Sequence, residues 1–337
     1  MSRLSILAAL PVLMLLGLGP AASAEPFRLI VTHLEPPLVP NSVMDLALEL
    51  GYFEREGVAV ELVRVQQTPS AFAAILSGEG EMANVGLDAL LQLVARGETG
   101  LKAVVSPNKS LPFLIAARDD IATPADLLGR SFGIGRPGSL DHSLSARVIA
   151  AAGIDMDALE VVALGQPEAR AQALAAGRIH ATTMSVGVWQ VLSNKDGLHV
   201  LVDADAYFAA APVVNKVNIV SRAALTSRRD DIKAVIRALI RISRDFAAEP
   251  GAWAKAIAPY QPALSASDLA MLDADFAGSW SVNGGMNVDE LVYSADWLAS
   301  TEDFAGLDLP ELADWADLSL LDEVRAELGV DAGMDVP

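Results

Sequence analysis

The 337-residue chain is 52% hydrophobic, contains no cysteine and carries 43 acidic against 24 basic side chains, for a formal net charge of −19. A surface that acidic repels phosphate backbones and anionic lipid headgroups, which argues against nucleic acid or a membrane surface as partner. Disulfides and cysteine nucleophiles are excluded outright, so stability must come from apolar burial, and the length suits about two domains.

The chain opens with Arg3 in a short polar stretch, an apolar run from Leu4 to Leu18, and the small triplet Ala22, Ser23, Ala24 before Glu25. This reads as a secretory signal, residues 1–24, with an A-x-A-type cleavage site after Ala24. The apolar run is shorter than the roughly 20 residues of a spanning helix, and a lipid anchor would need a cysteine. The expectation is a free periplasmic protein, with a net charge of −20 once Arg3 is removed.

From Arg28 onward, short β-branched runs alternate with alanine-rich helical stretches, the pattern of parallel sheets built from βαβ units. Strands are expected at 28–33, 58–65, 81–85, 101–105, 111–117, 131–135, 159–164, 180–186, 199–203 and 216–221. Helix starts are marked by a polar residue before proline, at Thr68-Pro69, Thr123-Pro124 and Gln166-Pro167. Stops are marked by Gly51, Gly78, Gly97, Gly129, Gly153 and Gly177, where a left-handed C′ residue fits. Beyond about residue 227 the strand signal ends, and helices are expected at 229–248, 265–276, 288–300 and 310–328. In the first of these, Ile232, Val235, Ile236, Leu239, Ile240 and Ile242 share one face. No linker separates the halves, so the chain is expected to cross between two lobes on ordered strands: residues 25–112 and 206–337 form one lobe and 113–205 the other.

In open parallel sheets a ligand lies at the carboxyl ends of the strands. Those junctions fall at His33 to Glu35, Gln66 to Ser70, Asn84 to Leu87, Arg136 to His142 and Thr183 to Val186. They are rich in hydrogen-bonding groups and helix N-termini, which suit carboxylate, sulfonate or phosphate groups. A polar residue before a helix can equally be only a cap. Thr123 and Gln166 are read as caps; Thr68, Ser70 and Ser139, which recur at the cleft ends of successive strands, are read as ligand contacts. Arg136 is the sharpest candidate for pairing an anion, through bidentate bonds, against the alternative of a solvent-exposed loop arginine.

Five segments, GYFEREGVAVELV (51–63), AILSGEGEMANVG (74–86), ATPADLLGRSFGIGRPGS (122–139), AAGRIHA (175–181) and NGGMNVDELVYSADWL (283–298), together resemble the SsuA/TauA/NMT1-like periplasmic solute-binding proteins of ABC importers. That resemblance implies a two-lobed type II periplasmic binding fold: two open, mostly parallel α/β sheets, a two-strand hinge, a helical C-terminal segment, and a ligand buried between the lobes. Carried over by position, its cleft residues are His33, Glu35, Gln67, Thr68, Ser70, Gly86, Gly138, Ser139, His142, Ser185 and Asn215. The family often has aspartate at the place of His180, proline at that of Val186 and an aromatic near Thr182 or Thr183, so the return strand here is expected to line the pocket differently.

Other chemistries find less support. His33, His142, His180 and His199 show no zinc spacing. The sequence is read as lacking a G-x-S-x-G pentapeptide that would put a serine on a strained turn. The run GIGRPG (133–138) is read as lacking the G-x-G-x-x-G spacing that leads into a helix of the right βαβ unit, with Gly133 as strand packing and Gly138 as a close-approach residue. Trp189 is read as core, and Trp280 as either core or ligand platform. The chain is therefore expected to be a non-enzymatic, monomeric binding protein without cofactor or metal. It captures a small organic anion for the permease of an ABC importer. The alternatives are a thiamine-precursor pyrimidine as ligand, a pyrimidine-synthesis enzyme of the NMT1 type, or a ligand-sensing partner of a membrane receptor.

Overall fold

A computed structural model describes residues 25–109, 113–137, 139–332 and 335. The expected export signal, 1–24, and Gly138 lie outside the described residues. Among the described residues no helix is long and apolar enough to cross a membrane.

All ten expected strand runs form strands: β1 (Phe27–Val31), β2 (Val60–Arg64), β3 (Met82–Gly86), β4 (Leu101–Asn108), β5 (Phe113–Arg118), β6 (Ser131–Ile134), β7 (Glu160–Ala163), β8 (Ala181–Ser185), β9 (Leu198–Val202) and β10 (Lys216–Ser221). Between the first strands run helices α1 (Val43–Glu49), α2 (Tyr52–Arg55), α3 (Thr68–Leu76) and α4 (Leu87–Ala95). In the middle lie α5 (Leu140–Ala151), α6 (Pro167–Ala175), α7 (Val186–Val191) and α8 (Ala204–Ala210), and after β10 follow α9 (Arg222–Ser227), α10 (Arg229–Ala248), α11 (Ala252–Ile257), α12 (Ala266–Asp275), α13 (Val288–Ala299), α14 (Leu312–Trp315) and α15 (Ser319–Leu328). The six glycines expected to end helices or turns all adopt positive φ, from 67° at Gly129 to 102° at Gly97.

The strands form two five-stranded sheets, ordered β2-β1-β3-β10-β4 and β7-β6-β8-β5-β9. In the first, β1 pairs parallel with β2 and β3, whereas β10 runs antiparallel to β3 and β4. In the second, β6 pairs parallel with β7 and β8, and β5 runs antiparallel to β8 and β9. Each sheet thus has four strands in one direction and one reversed. The reversed strands are the two the chain enters on arriving from the other sheet, β4 to β5 outward and β9 through α8 to β10 on return. A parallel neighbour needs a long crossover, usually a helix, and a strand that arrives from another sheet does not have to provide one. The central strand β3 is buried along its whole length, and so is the edge strand β4, which α10, α14 and α15 cover, while the edge strand β7 is mostly exposed.

The apolar face of α10 is buried at all six expected positions, Ile232, Val235, Ile236, Leu239, Ile240 and Ile242. Each such side chain contributes about 1.5–3 kcal/mol when fully buried. Trp280 is core rather than platform: only 1% exposed, it stacks among Phe246, Trp253 and Phe276 at centroid distances of 5.2–6.4 Å. The single helix expected at 310–328 is two. Between α14 and α15, Ala316 bridges to Ala103 and the Asp317 N–H donates to the Ala103 carbonyl at 2.9 Å, so a link to β4 replaces a helical turn.

A candidate ligand-binding cleft between the two sheets

The carboxyl ends of β1, β6, β7 and β8 converge on a cavity of about 730 Å3. One wall is the loop Pro36–Val39 after β1, with Gln261; the other is built from the loops after β6, β7 and β8, including Arg136, Ser139, Asp141, Arg170 and Ser185. The walls meet at Gly187 in α7, where a side-chain Cβ would lie 2.6 Å from the Leu38 carbonyl oxygen. Gln190 in the same helix donates to Asp268 of α12 at 2.9 Å.

The second-sheet wall is organised by a buried arginine. Arg170, 3% exposed, donates to the Gly165 carbonyl at 2.6 Å, the Thr183 carbonyl at 3.1 Å and the Thr182 hydroxyl at 3.2 Å. It also lies 3.7 Å from the Asp141 carboxylate. Burial lowers the guanidinium's value, and Asp141 opposes the shift. Asp141 in turn accepts from the Gly135 N–H and the Ser139 hydroxyl, both at 2.7 Å. Ser139 stands at the N-cap of α5 but makes no side-chain cap bond to it. Ser185 does cap α7, accepting from the Val188 N–H at 3.2 Å.

On the first-sheet side, Lys216 opens β10 opposite Gly86 and Asn108, which puts it at the carboxyl edge of β3 and β4. Its ammonium donates to the Thr32 hydroxyl at 2.6 Å. The residue is partly buried, and desolvation pushes its value down to about 8, opposed by Asp88. Burial raises Asp88, and the Arg136 guanidinium is among the charges that oppose the shift. Thr68 does not cap its helix; its hydroxyl accepts from the Gly86 N–H at 3.2 Å. Asn215 contributes backbone, its carbonyl accepting from the Leu87 N–H at 3.0 Å. Behind the edge, Asn41, Asn84 and Asn218 form a buried amide chain, with bonds of 3.1 and 2.8 Å.

The residues expected at the cleft are therefore brought together in part. Arg136, Ser139 and Ser185 line the cavity. Arg136 is exposed, and its guanidinium reaches the Pro137 carbonyl at 3.5 Å. Thr68, Gly86 and Asn215 sit at the first-sheet edge beside Lys216. His33 instead donates through Nε2 to the Asp45 carboxylate at 2.7 Å, which also pairs with Arg64 at 2.6 Å. Glu35, Gln67 and Ser70 are exposed. His142 lines a separate recess with Trp297 and Thr301. Lys216, Asp88, Asp141, Arg170 and Gly187 were not singled out from sequence. The position of Lys216, first in a strand and paired with the last residues of β3 and β4, was the available signal.

Two motif readings are corrected. Gly129-Arg130-Ser131-Phe132-Gly133 does have the G-x-S-x-G spacing. However, Ser131 begins β6 at its amino end, away from the cleft, with its hydroxyl 2.7 Å from His180 Nδ1, and among the described residues no carboxylate pairs with that ring. The strand-to-helix elbow that exposes a nucleophile is missing. Gly133, Gly135 and Gly138 also have the G-x-G-x-x-G spacing, between β6 and α5 of a parallel βαβ unit. What opposes a pyrophosphate there is Asp141, whose carboxylate already takes the Gly135 N–H in the first turn of α5. Gly133 is a strand-packing residue as expected, since a Cβ would lie 2.6 Å from Ile179 Cδ1. Among the described residues no group of three or more His, Asp or Glu side chains is placed to hold a metal ion.

No curated protein matches the sequence. Among solved structures, a putative periplasmic sulfonate-binding protein SsuA from Methylobacillus flagellatus is similar at a TM-score of 0.72 and 13% identity, covering 92% of this chain and 97% of that one. The periplasmic aliphatic sulphonate-binding protein SsuA from Escherichia coli is similar at 0.62 and 19% identity, over 75% and 84% of the two chains. The desulfurization enzyme DszB shares the fold at 0.63 and 15% identity, over 90% and 99%. At these identities the likeness establishes a periplasmic-binding-protein fold, one that also carries catalysis. The NMT1/THI5-like family model matches residues 43–252, more than half of the sequence, and the chain belongs to that family.

Proposed function

We propose that this protein is an extracytoplasmic solute-binding subunit. It captures a small organic anion, a sulfonate or carboxylate, between two lobes and presents it to the permease of an ABC importer at the inner membrane. The observation that carries the reading is the cavity of about 730 Å3 with one wall from each sheet. That volume suits a small molecule, and its placement at the carboxyl edges of two sheets joined by two chain crossings suits hinge closure. One lobe comprises residues 25–112 and 206–337 and the other 113–205; α8 straddles that boundary and packs on the second sheet, where Tyr207 lies edge-on against Phe113 of β5 at 6.0 Å. Both walls come from one chain, so a monomer suffices. Its place of action is the periplasm, after loss of residues 1–24.

Closure brings the second wall onto a solute held by the first, excludes water and completes its hydrogen bonds, without turnover. The test is mass spectrometry of small molecules that copurify with the exported protein, followed by titration of the identified compound. A single small anion is expected, bound one to one, returned chemically unchanged, and reducing the radius of gyration in solution scattering. A stoichiometric product would instead make the protein an enzyme of this fold.

A further inference from the structure

We propose that Lys216 reads the solute's charge: its ammonium, with the Thr32 hydroxyl beside it, receives the sulfonate or carboxylate group at the carboxyl edge of the first sheet. The inference rests on the solute-binding reading above and adds where the anion docks.

Two lysines of the first lobe, Lys102 and Lys109, are buried and have structural partners, and Lys216 is partly buried. Lys102 donates to the carbonyls of Ala313 and Asp314 and ties α14 to β4. Lys109 lies 3.3 Å from Asp335 and 3.5 Å from Glu290. Lys216 has one neutral partner, Thr32, and among the described residues no carboxylate lies within ion-pair distance of it. An ammonium carries three donors, and among the described residues two of these find no acceptor. Confining such a group is unfavourable unless something pairs with it. In a chain with 43 acidic side chains against 24 basic, a cleft-edge ammonium without a carboxylate leaves that place to a solute.

The opposite wall is a poorer anion site than its helix N-terminus suggests. There the Gly135 N–H and the Ser139 hydroxyl are engaged by Asp141, and Arg170 spends its donors on Gly165, Thr182 and Thr183. A second carboxylate or sulfonate beside Asp141 meets like charge. At the first-sheet edge, among the described residues, no carboxylate takes a Lys216 donor; Asp88 acts on it as a charge, and burial raises Asp88 above the ordinary carboxylate range while it pushes Lys216 down to about 8.

The test titrates hexanesulfonate and hexanoate, with hexanamide as the uncharged counterpart, into the parent, Lys216→Met and Lys216→Arg. The parent is expected to bind both anions and not the amide. Lys216→Met should weaken both by about tenfold or more, the usual cost of losing a charge-assisted bond, and Lys216→Arg should recover part of that loss. Lys216→Met should also melt at or above the parent temperature, because it removes a confined charge. Binding by Lys216→Met within about twofold of the parent overturns the assignment while leaving solute binding intact. A marked drop in its melting temperature overturns it too, since the lysine would then be structural. If the parent prefers the amide, or binds none of the three, the anionic-solute reading itself fails, a result distinct from failure of the Lys216 role.

Discussion

Gly187 offers a direct perturbation of lobe apposition. A Cβ at this position would lie 2.6 Å from the Leu38 carbonyl oxygen and 2.8 Å from Leu38 Cβ, where carbon pairs normally sit about 3.5–4.0 Å apart. Gly187 is helical, so alanine suits α7 itself and should stabilise that helix by about 0.5–1 kcal/mol relative to glycine. The clash therefore falls on the contact between lobes and not on either lobe's fold. Overpacking of this size costs about 1–3 kcal/mol where the neighbours cannot yield. The lobes can escape it by parting, which moves the cost into the ratio of open to closed molecules. At about 1.4 kcal/mol per tenfold, Gly187→Ala should weaken apparent solute affinity about 5- to 100-fold. Calorimetric titration should report that loss, and scattering of the solute-bound protein a larger radius of gyration, with denaturant unfolding unchanged. Gly278→Ala, with no atom within 4 Å of its added Cβ, is the control and should behave like the parent. If Gly187→Ala binds like the parent at an unchanged radius of gyration, the contact yields locally and closure does not depend on it.

Three further outcomes follow from the charges. Because burial pushes Lys216 down to about 8 and Asp88 is the charge acting on it, anion affinity should be flat below that pH and fall as pH rises through it; affinity constant to pH 9.5 would refute the ammonium's role. Burial alone would raise Asp45, but its bonds to His33 and Arg64 outweigh burial and hold it below the ordinary range. Its stabilising contribution is then fully present above about 3.9, the unfolded value, and is lost as pH falls through the lower folded value. Arg64→Met should accordingly move the acid-unfolding midpoint upward in a circular dichroism titration, and an unmoved midpoint would contradict this. Finally, Arg170→Leu strips donors from two carbonyls and a hydroxyl and leaves Asp141 unpaired, so it should destabilise by about 3 kcal/mol in urea unfolding; a loss under about 1 kcal/mol would mean that water replaces those bonds.

The scaffold was legible because its signals are local. A β-branched run such as Val60–Arg64, a proline at the start of α6 and a glycine at the left-handed stop after α4 each act within a few residues. The reversed strands were not legible, since Lys216–Ser221 reads like any other buried run and its direction is set by where the chain arrives. The same limit governs the cleft. Ser139 and Arg136 stand where an anion-binding helix start should be, and their sequence suits it. Asp141, two residues on, decides the matter by folding back onto Gly135, and only the geometry reveals that its carboxylate supplies the negative charge this terminus prefers. Lys216 is the converse case, a residue with no motif around it that becomes informative once its neighbours are known to be Thr32, Gly86 and Asn108 and not an acid. Apart from the exposed guanidinium of Arg136, the positive groups of one wall are already engaged, whereas the ammonium at the facing edge has one neutral partner. Under the proposed reading the first lobe fixes the charge, and the second, built on Arg170 and carrying Gly187, closes over the rest of the solute.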